Sequence, residues 1–251
     1  MRSILLCVNL PRVTSPETPP VIVAAARNNA DWCAAVGDSH GLAHTFSEKA
    51  WRSSDRTPPY YPDAVTLQPD AAPADFLSEI DTASPGCSVK DSFAALDLVP
   101  YGFVELFTAQ WIHRRPELAA PSKPNLRAER ISTAAQLRIW QTAWHGGGNA
   151  PDVFRPELLD DPAVLVVGLH LGDDLRAGAV LNDSSGVVGI SNVFTVDDSD
   201  ADVAWSSAIT AAADSFPGVP LIGYQHGDDL AHALAGGFTT LGPLRVWLRD
   251  S

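Results

Sequence analysis

Pro220-Leu-Ile-Gly-Tyr224, then Asp228-Asp-Leu-Ala-His-Ala-Leu-Ala235, then Gly236-Gly-Phe238, is the stretch that decides how this chain folds. The first part is a short apolar run suited to a buried strand. The second reads as a short helix. The paired glycines stop it, because glycine takes the left-handed backbone of a helix end without steric cost. Residues 238–249 predict a last strand or a bent strand pair.

Working outward from there, residues 201–216 predict a helix capped by Ser199 or Asp200 and ended by Pro217-Gly218. Val203, Ile209 and Ala213, flanked by Trp205 and Ala212, supply its inner face. Residues 163–171 are almost continuously apolar, as in a strand buried on both faces. Residues 175–181 and 187–195 predict a hairpin across Asn182-Asp-Ser-Ser-Gly186. Further upstream, residues 126–131 predict a short strand, and a helix opens at Ser132 or Thr133. Leu137, Trp140 and Trp144 form its apolar face, Gly146-Gly-Gly148 ends it, and Pro156 opens a short helical turn. A hairpin meander followed by two crossover helices implies an α/β fold with a mixed sheet.

Arg115-Pro-Glu-Leu-Ala-Ala-Pro-Ser-Lys-Pro124 interrupts the chain with three prolines in ten residues. Such a segment continues neither a helix nor an inner strand. It divides the sequence into residues 1–115, a linker at 116–124 and a domain at 125–251. The first part carries an echo of the last. Gly102-Phe-Val-Glu-Leu-Phe-Thr-Ala-Gln-Trp-Ile-His-Arg114 aligns without a gap to Gly237-Phe-Thr-Thr-Leu-Gly-Pro-Leu-Arg-Val-Trp-Leu-Arg249. Gly, Phe, Leu and the final Arg match, and Val89 to Leu98 would supply the preceding strand and helix of a truncated repeat.

The net charge is −13, and residues 160–251 hold 13 Asp against 3 Arg with no Glu or Lys. That field opposes nucleic acid and argues against it as a partner. Cys7, Cys33 and Cys87 form no Cys-x-x-Cys pair, which points to buried thiols, no metal site and a cytoplasmic setting. The apolar run from Ile4 to Leu10 is cut short by Pro11 and reads as a strand, not as a leader or a membrane span.

The element order over residues 126–249, with its strand, short helix and Gly237-Phe238, resembles the GCN5-related N-acetyltransferase (GNAT) superfamily. The resemblance implies an acyltransferase that moves an acyl group from acetyl-CoA or another acyl-CoA to a small-molecule or peptide amine. It implies a thioester lying between two splayed parallel strands, with backbone groups at Val193, Phe194 and Thr195 near the acyl carbonyl. The diphosphate would rest on the first turn of the next helix, at Ala201 and Asp202. Tyr224, His226 and Asn192 are the candidates for proton handling and orientation, and His170 could face the same cleft. Two departures stand out. The phosphate loop reads Thr195-Val-Asp-Asp-Ser-Asp-Ala-Asp-Val203, without Gly, Lys or Arg, and Ala233 occupies the position where the family carries a tyrosine. Both favour the alternative, a non-catalytic binding or assembly protein on the same fold.

Other motifs compete less well. Gly37-Asp-Ser-His-Gly41 with His145-Gly-Gly-Gly148 imitates a serine esterase built on Ser39, and Asp229-Leu-Ala-His232 could complete it. The oxyanion-type loop follows the serine instead of preceding it, and residues 34–36 make a poor strand. Trp51-Arg-Ser-Ser-Asp-Arg-Thr-Pro-Pro-Tyr-Tyr-Pro62 reads as an ordered loop over a cleft, where Arg52 or Arg56 could meet an anion.

Overall fold

A computed structural model describes residues 20–121, 126–197 and 200–249. The expected strand at Ile4 to Leu10 and Cys7 lie outside these residues. In chain order the strands are β1 (His44–Phe46), β2 (Ala50–Ser53), β3 (Ala64–Thr66), β4 (Cys87–Asp91), β5 (Val104–Arg114) and β6 (Arg127–Arg130). They continue with β7 (Val164–Leu171), β8 (Asp174–Ser184), β9 (Val187–Thr195), β10 (Leu221–Gln225) and β11 (Thr239–Arg249). Among the described residues four α-helices accompany them: α1 (Pro20–Ser39), α2 (Ala134–Trp144), α3 (Ala201–Ser215) and α4 (Gly227–Ala235). The strands form one mixed sheet of 11, in the order β1-β2-β3-β4-β11-β5-β10-β9-β8-β7-β6. Its parallel pairs are β3–β4 and β9–β10.

Side-chain alternation along the strands sorts the helices onto two faces. Ala177, Ala179 and Leu181 of β8 point into one cluster with Ala204, Trp205, Ala208 and Ile209 of α3. Val180, between them, points the other way, into the cluster that holds Trp32 of α1 and Trp140 of α2. Thus α3 and α4 cover one face, and α1 and α2 the other. The α3 face is centred on Trp205, Ala208 and Ala212, one step round from the expected Val203 and Ala213, which are only half-buried.

Local chemistry explains most boundaries. Thr133 caps α2: its hydroxyl accepts from Gln136 N at 3.2 Å, and the Gln136 amide oxygen accepts from Thr133 N at 3.1 Å. Trp140 lies directly on Gly178, and its indole N–H donates to the Val167 carbonyl at 2.9 Å. Any side chain at residue 178 would collide with that ring. Ser185 and Gly186, both at positive φ, turn β8 into β9. A bulge at Gly242 bends the single strand β11. The α-helix expected within residues 89–98 is absent. There the Asp91 carboxylate accepts from Ala95 N and Leu96 N and holds a loop, which Val99–Tyr101 ends as a 3-10 turn.

The described parts of the two halves, residues 20–115 and 126–249, share this sheet through an exchange. Strand β5 lies between β10 and β11, and β11 lies between β4 and β5. Gly102 and Gly237 each precede these strands at φ 82° and 89°. The Arg114 side chain packs at Gly237, and the Arg249 side chain packs at Gly102. Arg114 also donates to the carbonyls of Gly236 at 3.0 Å and Ala119 at 2.6 Å, which ties the start of the proline-rich segment to the end of α4.

Candidate functional site

Strands β9 and β10 run parallel but pair at only Leu221↔Val188 and Ile222↔Gly189. Beyond that point they separate. The cause lies in β9, where Gly178 faces Phe194 while Val180 faces Ser191, so Asn192 and Val193 together oppose Ala179. This bulge puts Asn192 at φ 52° and bends the strand away. Gly223 keeps the strands close up to the opening, since a Cβ there would lie 2.7 Å from the Ile190 carbonyl oxygen.

The opening is a cavity of about 190 Å³. Helix α1 covers it with Asn29, Trp32 and Cys33, and the loop before β3 contributes Tyr60 and Tyr61. Two asparagines fix α1 against the sheet. Asn28 Nδ2 donates to the Asn182 carbonyl at 3.0 Å, and Asn182 Nδ2 donates to Asn28 Oδ1 at 3.0 Å. Both amides occupy the space left by the missing side chain of Gly189.

At the floor, Lys90 of β4 reaches across to Tyr224 of β10. Its Nζ donates to the Tyr224 hydroxyl at 3.0 Å and to Asn29 Oδ1 at 2.8 Å, and it lies 4.3 Å from the centre of the Tyr224 ring. The Trp111 ring meets Tyr224 edge to face at 5.7 Å. Burial pushes the Cys33 thiol up to about 11 and the Tyr61 phenol well above its usual value. Burial works against the Lys90 ammonium, while its neighbours Tyr224 and Cys33 favour it, and the net direction is above the ordinary lysine value.

The sequence-derived candidates distribute unevenly around this cavity. Tyr224, Asn192 and Val193 line it. His226 does not: it is exposed at the cap of α4, with its ring 4.9 Å from Phe107. Phe194 packs against Trp140 at 5.1 Å. Thr195 borders a second groove, of about 510 Å³, beside Ile139 of α2. Ala201 and Asp202 form the first turn of α3. His170 faces a separate groove with Gln136 and Arg176, not the opening beside β10. Ala233 is fully buried under α3.

The competing motifs lose their geometry. The Ser39 hydroxyl is buried at the end of α1 and donates to the Val36 carbonyl at 2.7 Å. Among the described residues helix α1 itself, not a strand, leads up to it, and its hydroxyl is spent within the helix. Arg52 pairs with Glu79 at 2.7 Å and Arg56 with Asp63, so each already has an internal counter-ion. The loop that carries Arg56 does overhang the cavity, through its tyrosines.

Lys90, Asn29, Tyr61, Trp32 and Cys33 are members of the site that sequence reasoning missed. The signal for the asparagines is visible in retrospect. Asn28-Asn29 follows the apolar first turns of α1, and a polar pair buried in a helix needs buried partners. Lys90 carries no such mark, because a lysine in a short strand ordinarily faces water.

No protein-family profile matches the sequence, and no curated protein matches it. Solved structures do. The chain is similar to a GCN5-related N-acetyltransferase from Kribbella flavida, with TM-score 0.63 and 16% identity over 90% of this chain and 96% of that one. A protein assigned to the GNAT acetyltransferase family from Novosphingobium aromaticivorans gives 0.56 at 13% identity, over 90% and 99%. A GCN5-related N-acetyltransferase from Sphaerobacter thermophilus gives 0.51 at 11%, over 92% and 93%. The chain is built on the GNAT fold, and the likeness extends over both halves.

Proposed function

We propose that this protein transfers an acyl group to an amine inside the cavity where β9 and β10 part. The observation that carries the reading is the bulged opening itself, lined by Tyr224 and Lys90 within a fold shared with N-acetyltransferases. Backbone N–H groups around Asn192 and Val193 would polarise the acyl carbonyl. The nitrogen of a neutral amine forms a bond to that carbon, the bond to the leaving group breaks, and the proton the amine loses passes through solvent to replace the one that Tyr224 delivers. The Tyr224 hydroxyl, held by Lys90, is positioned to pass a proton to the leaving group. Lys90 comes from the first half of the chain and Tyr224 from the second. They occupy matching places, because Val246 faces Lys90 as Trp111 faces Tyr224, and Trp111 and Val246 correspond in the Gly102 and Gly237 alignment. We read the two halves as a degenerate repeat that builds one site.

Acyl-CoA fits these residues at one end only. The cavity and bulge suit an acyl thioester. The start of α3 does not suit a diphosphate: Asp200 is held by Arg176 at 2.7 Å, Asp202 by His232 at 2.6 Å, and both carboxylates repel phosphate. No step is therefore assigned through the CoA diphosphate. That same acidic turn favours the second reading, a binding or assembly protein that retains the fold.

Calorimetric titration with acetyl-CoA and acetyl-pantetheine separates the readings. Acyl transfer without a phosphate clamp requires both to bind, with affinities alike within about threefold, since the diphosphate contributes little. Neither ligand giving heat or a melting shift at high micromolar concentration would leave the non-catalytic reading.

A further inference from the structure

The cavity holds a cation without an anion. Lys90 is 4% exposed and forms no ion pair among the described residues. An ammonium carries three N–H donors, and the Asn29 amide oxygen and Tyr224 hydroxyl take two of them. The nearby carboxylates are committed elsewhere. Asp91 accepts from backbone N–H groups of its own loop, and Asp31 accepts from Arg27 Nε at 2.8 Å. Asp229 lines the cavity but is exposed on the first turn of α4.

A second donor is also unclaimed. Tyr61 is 9% exposed and lines the same cavity; the Asn192 and Trp32 side chains approach its oxygen as donors, but its hydroxyl proton has no acceptor among the described residues. Buried polar groups are nearly always satisfied, so an unclaimed hydroxyl proton beside an unneutralised ammonium marks a place prepared for an acceptor. The remaining polar lining is neutral: Asn28, Asn192, Ser191 and Gln225. A ligand bearing one negative charge and several acceptor lone pairs matches this set. The small volume limits it to a few heavy atoms.

We propose that the cavity recognises a small carboxylate, whose oxygens accept from Lys90 Nζ and the Tyr61 hydroxyl. The site stands on the cavity alone. Its role in turnover rests on the acyl-transfer reading, in which the acceptor is a small amino acid: the carboxylate anchors at Lys90 and the amine is presented toward Tyr224. Asp229 at the rim would attract the cationic amine end.

The full chain tests this directly, with Trp32 and Trp111 as internal fluorescence reporters. Acetate and glycine are titrated at neutral pH and constant ionic strength, beside acetamide and glycinamide, which have the same shape without the carboxylate charge. The expected result is a saturable fluorescence change and a raised melting temperature with the two carboxylates only. Lys90→Met should weaken the response at least about tenfold, which is about 1.4 kcal/mol. Tyr61→Phe preserves the ammonium and the packing and should weaken it severalfold, so the proposal remains testable if Lys90→Met does not fold. The absence of a saturable response to both carboxylates in the unaltered protein, or equal responses to the amides, overturns the site. Carboxylate binding without any acyl transfer rejects the acyl-transfer reading and leaves the site standing. Acyl transfer to amines that lack a carboxylate, with no carboxylate binding, does the reverse.

Discussion

Two parallel strand pairs lie in this sheet, and only one of them opens. Both β3–β4 and β9–β10 pair at two positions. Past those positions the first pair stays closed: the Thr66 hydroxyl accepts from Ser92 N at 2.8 Å and bridges the gap. Past the same point in the second pair, the Asn192 bulge turns β9 aside, and the cavity occupies the space. Parallel pairing therefore does not create a site. The opening comes from one extra residue in one strand, with a glycine opposite that lets the strands approach before they part.

The comparison can be broken in four ways. The largest effect is expected from Tyr224→Phe, which removes the proposed proton carrier at the open pair and leaves the ring in place. Transfer should fall by about 10²-fold or more, with thermal stability nearly unchanged, measured as kcat and melting temperature. Retention of full activity would remove Tyr224 from the mechanism. Gly223→Ala should follow, destabilising the protein by about 1–3 kcal/mol through overpacking against the Ile190 carbonyl, read from the denaturant midpoint. A neutral result would mean that the approach of β9 to β10 is not tight.

Thr66→Val acts on the closed pair. It strands the buried Ser92 N–H and should cost about 1–2 kcal/mol, while leaving acyl transfer intact. A selective loss of activity would show that the two pairs are not independent. The smallest effect is a slope. Burial keeps Cys33 and Tyr61 protonated in the folded state, whereas the unfolded thiol releases its proton near its ordinary value of 9.0. Above that pH the unfolded chain binds fewer protons than the folded one, so stability should fall between pH 9 and about 11. Cys33→Ala should flatten part of that slope in unfolding midpoints collected across this range.

The second half of the fold was legible because its signals are local. The apolar run of β7, the capping box at Thr133 and the Gly236-Gly237 stop each act within a few residues. The site was legible only where it lies on those elements, at Tyr224, Asn192 and Val193. Helix α1 was missed because it is buried on several sides and shows no clean apolar stripe. Its Asn28 satisfies partners more than 150 residues away, and its Asn29 accepts from Lys90, 61 residues on. Lys90 is buried between Asn29 of α1 and Tyr224 of β10, both distant in sequence, and the exchange of β5 and β11 depends on long-range register. His226 fell outside the cavity because the chain has already left β10 when it reaches that residue, which caps α4 instead.

The exchanged strands also have a consequence for biosynthesis. Among the eleven strands β11 is the last to leave the ribosome, yet it sits in the interior of the sheet between β4 and β5. Until residues 239–249 emerge, β1–β4 have no hydrogen-bonded connection to the other strands. Lys90 and Tyr224 then belong to separate, unjoined sheets. The proposed Lys90–Tyr224 site is thus assembled as one of the final events of folding, and a nascent chain holds two unpaired edges open for a single late-arriving strand.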